Sequence, residues 1–288
     1  MPTISPMSIP EYSLPESTFL RASFSLRGGK TEAIERYHTA PVKIAKLFRF
    51  PDELGVIVMD SSPGMLGNDR YVMEWEAGQD TRVVLTNQSF TKVHPCEYGQ
   101  KASMLQRFRL GSGSCIEVMM EPVMLYRDAA YENDTVVELQ KGSVWMQGEV
   151  LCPGRILRGE SFVYRRLDNR LRVYSEGRLI FHQRQVVLPE QQAIEATGSW
   201  EDFSHTGTFY VFSDGVTPKL LEDVRQALQK APSRLGTEIL SCASLTYTQG
   251  LVVTGYSKSA WILQELLKEV WSEVRKSLLG LPPLHWYK

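Results

Sequence analysis

From Phe19 to Val187 the chain repeats one pattern, in which short runs of alternating apolar and polar residues are separated by short turn signals, many of them built on glycine or asparagine. In Phe19 to Arg27, Leu20, Ala22, Phe24 and Leu26 fall on one side and Arg21, Ser23, Ser25 and Arg27 on the other, the period of a strand with one buried face. Val42 to Phe48, Gly55 to Asp60, Tyr71 to Ala77, Arg82 to Thr86, Met104 to Leu110 and Cys115 to Met120 read the same way. So do Val136 to Leu139, Val144 to Leu151, Ser161 to Arg166, Leu171 to Tyr174 and Leu179 to Val187. The separators, among them Ala77-Gly78, Gly111-Ser112-Gly113, Lys141-Gly142, Asp168-Asn169 and Glu176-Gly177, are signals that close antiparallel hairpins. The first two thirds therefore reads as a succession of β-hairpins.

Two later segments change period. Thr217 is placed to cap a helix with Pro218 at its first position; Leu220, Leu221, Val224, Ala227 and Leu228 form its stripe and Pro232 its end. A hairpin around Thr248-Gln249-Gly250 follows, then a longer helix from Ser259 to Leu279, stopped by Gly280 and Pro282-Pro283. Trp261 and Trp271 on that helix are expected to pack on the sheet, with anchoring of a partner as the competing reading. Residues 1–18, with Pro2, Pro6, Pro10 and Pro15, read as a flexible arm, and residues 19–288 as one mainly β domain.

Composition narrows the partners. Lys and Arg number 32 against 33 Asp and Glu, so no charge excess argues for nucleic acid or an anionic membrane. Met1 to Leu20 does not read as a basic start followed by an apolar run, and no stretch approaches the roughly 20 apolar residues of a spanning helix, so the expectation is a cytoplasmic protein without a secretory signal. Cys96, Cys115, Cys152 and Cys242 are scattered without a Cys-x-x-Cys pair, as reduced, buried thiols are.

Catalytic motifs are missing: there is no nucleophile elbow, phosphate loop, His-Glu-x-x-His or dinucleotide fingerprint, so a non-enzyme is expected. His94-Pro95-Cys96-Glu97 is the one local cluster with metal-capable side chains, and His94 with Cys96 would suit zinc or nickel, although Pro95 disturbs the geometry that would put both on one face. Thr86-Asn87-Gln88-Ser89-Phe90-Thr91-Lys92-Val93 interrupts two apolar runs with polar groups, which fits a bend, an exposed edge or a hydrated interior. In Gly148 to Glu160, Pro153-Gly154 and Arg158-Gly159 are turns that set Arg155 and Glu160 in place, either to pair or to face a partner.

Taken together, Leu66-Gly67-Asn68-Asp69-Arg70, Leu85-Thr86-Asn87-Gln88 with Thr91-Lys92-Val93, Gly148 to Arg155, and Gly159-Glu160-Ser161-Phe162 resemble the urease accessory protein family UreD, also called UreH. Leu279 to Trp286 is similar to that family's ending. Three positions depart: Asn68 stands where the family has a second glycine, His94 where an aromatic is common, and His285 where an arginine often precedes the terminal tryptophan.

The resemblance implies a helix-like stack of antiparallel and mixed strands with two α-helices, and a non-catalytic urease maturation factor. Such a factor binds apo-urease and recruits UreF and, through UreF, the GTPase UreG that delivers nickel. It implies no tightly bound cofactor, only transient Ni²⁺. A conduit for that ion needs weak oxygen donors at several points rather than a closed cage. On the matching motifs these would be Asp69, Thr86, Gln88, Thr91, Glu121, Asp128, Glu149 and Glu160, with Gly67, Lys92, Gly154, Arg155 and Gly159 shaping the turns. Each carboxylate has the competing reading of an ordinary salt bridge, for instance with Arg155 or Arg70. Other function classes are a carbohydrate- or small-molecule-binding β protein using Trp75, Trp145 and Trp200, and a hydrolase with Glu121 and Glu149 across one pocket.

Overall fold

The computed structural model describes residues 17–285. Residues 1–16 of the expected arm, and Trp286, lie outside the described residues, while Ser17 and Thr18 already belong to the first strand.

The chain opens with two antiparallel pairs, β1 (Ser17–Arg27) with β2 (Lys30–His38) and β3 (Val42–Arg49) with β4 (Leu54–Asp60). It then shuttles between two sheets: β5 (Arg70–Ala77), β6 (Arg82–Asn87), short β7 (Thr91–Val93), β8 (Ala102–Leu110), β9 (Cys115–Met119) and short β10 (Val123–Leu125). Next come β11 (Ala130–Leu139), β12 (Val144–Cys152), β13 (Arg166–Ser175) and β14 (Arg178–Val187). After β15 (His205–Phe212) come α1 (Pro218–Leu235), the hairpin of β16 (Leu240–Leu245) and β17 (Gly250–Ser257), and α2 (Ala260–Val274), which runs on through a π-turn at Arg275–Leu279. One sheet has the order β14-β13-β11-β8-β5-β1-β2; the other runs β16-β17-β15-β12-β9-β6-β4-β3 with β10 and β7 beside it.

The hairpin reading is corrected by this pairing. β5, β8, β11 and β13 pair in parallel within one sheet, and β4, β6, β9 and β12 in parallel within the other. The turns at Gly78, Gly111 to Gly113 and Gly142 are corners that carry the chain from one sheet to the other, and the intervening strand acts as the long crossover a parallel pair requires, whereas Glu176-Gly177 closes the antiparallel β13–β14 hairpin as expected. Corners of successive coils stack: Gly78 N–H bonds Phe24 O, Gly111 N–H bonds Ala77 O and Gln140 N–H bonds Leu110 O, and the β13–β14 hairpin turn continues the stack with Glu176 N–H bonding Leu139 O. Alternation cannot tell a corner from a hairpin, because either turn leaves one strand face buried. Asp168 and Asn169, read as a turn, lie inside β13; Ser161 to Arg166, read as a strand, is largely loop.

The inward faces of the two sheets enclose one core, with Trp75, Phe108, Trp145 and Phe212 fully buried in it. The second sheet is covered on its other face by the helices, where Val84, Met146, Val150, Phe209 and Val211 meet Leu220, Val224, Leu263, Leu266 and Val270. A sheet buried on both sides loses the polar alternation, which explains the near-continuous apolar run Thr208 to Phe212 in β15. Helix α1 is capped by Thr217, whose Oγ1 accepts from Leu220 N, and continues past Pro232 to a left-handed Gly236. Pro232 lacks a donor but its carbonyl still accepts from Gly236 N, so the expected stop falls three residues later. Trp271 is buried as expected, whereas Trp261 is 56% exposed.

Candidate functional site

A cavity with about 100 Å³ of water-accessible space, room for several waters, lies between the sheets. The first sheet contributes inward residues of four neighbouring strands: Tyr71, Gln106, Asn133 and Asn169. The second contributes Asp60, Asn87, Gln147 and Glu149, and the segment after β6 adds Gln88, Thr91 and Lys92. The side chains form a relay. Gln106 Nε2 donates to Asn133 Oδ1 at 3.3 Å, Asn133 Nδ2 to Asn169 Oδ1 at 2.8 Å, and Asn169 Nδ2 to Glu149 Oε1 at 2.6 Å. At another wall Tyr71 OH donates to Asp60 Oδ2 at 3.0 Å.

Glu149 ends that relay. Desolvation inside the molecule raises its carboxyl from 4.5 to about 7, against the opposing hydrogen bond from Asn169. Its charge reaches two buried phenols: burial first, and Glu149 second, push Tyr131 and Tyr210 above the ordinary tyrosine value. Two residues earlier on the same strand face, Gln147 Oε1 is buried without a hydrogen-bond partner. The cavity thus holds a carboxylate of ambiguous protonation, an unsatisfied carbonyl oxygen and a line of amides, a set of hard oxygen donors suited to weak cation contacts.

A second space, about 400 Å³, lies between the second sheet and α2 and is lined by Thr86, Met119, Gln264, Lys268, Trp271 and His285 among others. Met120, Glu121 and Gly148 line both spaces. Glu121 Oε2 accepts from Gln264 Nε2 at 2.9 Å, and Thr86 Oγ1 donates to Met119 O at 2.6 Å. Behind this groove, Arg275 is 1% exposed and bonds Glu53 Oε1 and Glu117 Oε1 at 2.5 Å each, while Trp271 Nε1 bonds Glu117 Oε2. Burial pushes Glu117 up despite that guanidinium.

The remaining motif residues gather on stacked corner loops at one end of the coil. Asp69 Oδ2 accepts from Leu66 N at 2.7 Å, and a side chain on Gly67 would collide with Gln100 Oε1. Glu160 lies outside the cavity lining in a bidentate pair with Arg155, Nε to Oε2 at 2.7 Å and Nη2 to Oε1 at 2.5 Å, and that hydrogen bonding holds its carboxyl below the ordinary value. The Arg155 guanidinium stacks 4.1 Å over the Tyr126 ring. Gly154 has φ +144° and Gly159 φ +72°, and Asp128 is exposed at φ +60°. His94 Nε2 meets Pro63 O at 3.1 Å while the Cys96 thiol points at the His94 and Ala130 carbonyls, so the two do not converge. Among the described residues no three His, Cys, Asp or Glu side chains form a metal-holding cluster. Cys96, Cys115 and Cys152 are buried free thiols; Cys242 is also free but exposed, against the expectation of burial.

The UreD urease accessory protein family model matches residues 17–287. The chain belongs to that family. Among its curated relatives, the urease accessory protein UreD of Acetivibrio thermocellus is 29% identical over 252 residues, 87% of this chain and 93% of that protein. UreD of Actinobacillus pleuropneumoniae serotype 3 is 27% identical over 84% of this chain and 91% of its own length. UreH of Helicobacter hepaticus is 26% identical over 67% and 77%.

As a UreD family member the chain absorbs its departures locally. Asn68 takes φ +71°, the left-handed backbone a glycine would supply. The His94 ring packs edge-on against Tyr126 at 5.0 Å, as an aromatic there would. Of the eight passage candidates, Gln88, Thr91, Glu121 and Glu149 line the cavity, Thr86 and Glu121 line the groove, and Asp69, Asp128 and Glu160 stand on corner loops outside both linings. Sequence reasoning missed Asp60, Tyr71, Gln106, Asn133, Gln147 and Asn169. The signal was an amide where strand alternation demands an inward apolar residue: Gln106 between Met104 and Phe108, and Asn133 between Tyr131 and Thr135. The sugar-binding reading loses its anchors, because Trp75 and Trp145 are 1% and 0% exposed and Trp200 packs on Phe162 and Tyr256. No described helix is long and apolar enough to cross a membrane.

Proposed function

We propose that this chain is a non-catalytic, cytoplasmic urease maturation factor that binds apo-urease together with UreF and, through UreF, the GTPase UreG. Its interior gives nickel a path of weak oxygen contacts. The observation that carries the reading is the relay of amides ending at Glu149 inside a UreD-family fold. Nickel as cargo has to be held and released repeatedly, so single carboxylates and amides with water suit it and a closed Cys/His cage does not. The path would use Asp60, Gln88, Thr91, Gln147 and Glu149 in the cavity and pass Glu121 at the joint with the groove beside α2.

Co-expression of the urease subunits and accessory proteins with this chain tests the reading. Wild-type chain should co-purify with the urease complex and support nickel-dependent activation, and Glu149→Ala should co-purify equally and activate poorly. Full activation by Glu149→Ala, or a loss that always tracks failure to assemble, removes the conduit.

A further inference from the structure

The turn between Pro153 and Phe162 is built more firmly than its sequence position as a surface loop requires. Arg155 and Glu160 lock its two ends with a bidentate pair, Tyr126 supports the guanidinium, and Arg127 N–H adds a bond to Glu160 Oε2. Four backbone bonds close it: Arg158 N–H and Glu160 N–H to Arg155 O, Gly159 N–H to Ile156 O, and Phe162 N–H to Pro153 O. Gly154 admits no side chain, since a Cβ there would sit 2.6 Å from Glu160 O. What this scaffold displays is Leu157, fully exposed at 104%, with Ile156 at 40%. A scattered exposed leucine needs no explanation, but one held out on a pre-ordered turn has already lost the freedom that binding would cost.

The charges around it narrow the occupant. Arg127 and Arg158 are exposed and Arg165 half-buried, and none enters an ion pair among the described residues. Arg165 instead bonds the Asp128, Cys96 and Glu97 carbonyls, which ties this turn to the neighbouring corner loops. We propose that the Arg155–Gly159 knuckle is a docking anchor, inserted into a protein partner's apolar socket with a carboxylate rim. A protein fits better than an anionic membrane, because two aliphatic side chains bury little in lipid and the whole chain carries a net charge of −1. The proposal rests on the accessory-protein reading and adds to it the surface and the partner's chemistry.

The test uses the full chain co-expressed with the urease subunits and accessory proteins, comparing wild type, Leu157→Asp, Leu157→Met and Arg158→Glu. Partner affinities are measured at low and high salt, and sedimentation of the chain alone and pelleting with phosphatidylserine vesicles are run in parallel. Leu157 is fully exposed, so its substitution leaves the fold intact. Burial of a leucine predicts that Leu157→Asp weakens one partner at least about tenfold, with Leu157→Met near wild type. Arg158→Glu should weaken the same partner and flatten its salt dependence. Binding of Leu157→Asp within threefold of wild type overturns the knuckle while the accessory reading stands. So does an effect confined to self-association or to vesicle pelleting. If the wild-type chain retains no urease component at all, the accessory reading falls and the knuckle with it.

Discussion

Glu149→Gln should make the folded chain more stable at alkaline pH while impairing its function. The native carboxyl titrates near 7 against 4.5 for the ordinary group, because burial disfavours its charge. A group that holds its proton more tightly when folded contributes full stability below about pH 4.5, and that contribution is lost as pH rises through about 7. At about 1.4 kcal/mol per tenfold in proton affinity, the loss amounts to at most about 3 kcal/mol. Glutamine matches the shape, never ionises, and still accepts from Asn169 Nδ2, so it escapes that loss. The stability difference between variant and wild type should be near zero at pH 4.5 and grow to about 3 kcal/mol by pH 8.5. For a chain of this length that is a melting difference of about 5 °C. Thermal unfolding followed by tryptophan fluorescence at half-unit pH steps measures it, and subtracting the two curves removes every other titrating group. A flat difference between pH 5 and 8.5, or a variant less stable than wild type at pH 8, refutes the assignment of Glu149 as a desolvated carboxylate.

Three further substitutions test the surrounding structure. Asn169→Ala deletes the donor to Glu149 Oε1, so the midpoint of the same pH-dependent stability loss should move above that of wild type; an unchanged midpoint contradicts the relay. Arg275→Ala strands Glu53 and Glu117 in a site 1% exposed and should destabilise by roughly 3–5 kcal/mol, read from the urea midpoint. Gly154→Ala forces a Cβ against Glu160 O at φ +144° and should cost about 1–3 kcal/mol; loss below 0.5 kcal/mol means the turn relaxes freely.

Much of the fold was legible because alternation is written residue by residue. Nine of the expected strands fall within two residues of observed ones, from Phe19–Arg27 against Ser17–Arg27 to Leu179–Val187 against Arg178–Val187. Topology was not legible, since a glycine at Gly111 or Gly142 bends the chain equally well within a sheet or between sheets. What decides is whether the next coil offers a parallel neighbour, and that contact is distant in sequence. β2 and β15 escaped for opposite reasons: Lys30–His38 is an edge strand, largely solvated on both faces, and His205–Phe212 is buried on both, so neither alternates cleanly. In the site, the family motifs led to Glu149, Glu121 and the polar run after β6. The partners of Glu149 were obscured because Asp168-Asn169 looks like a turn pair, and only the parallel register of β11 and β13 sets Asn133 beside Asn169.

The central claim is that nickel reaches urease through the inside of this chain. The direct measurement is transfer of radioactive nickel from GTP-loaded UreG to apo-urease in the assembled complex, with an excess of a chelator too large to enter the cavity. Shielded transfer that persists with wild-type chain and falls with Glu149→Gln, at equal complex occupancy, is the predicted result. Transfer abolished by the chelator in both complexes, or unchanged by the substitution, contradicts an interior route.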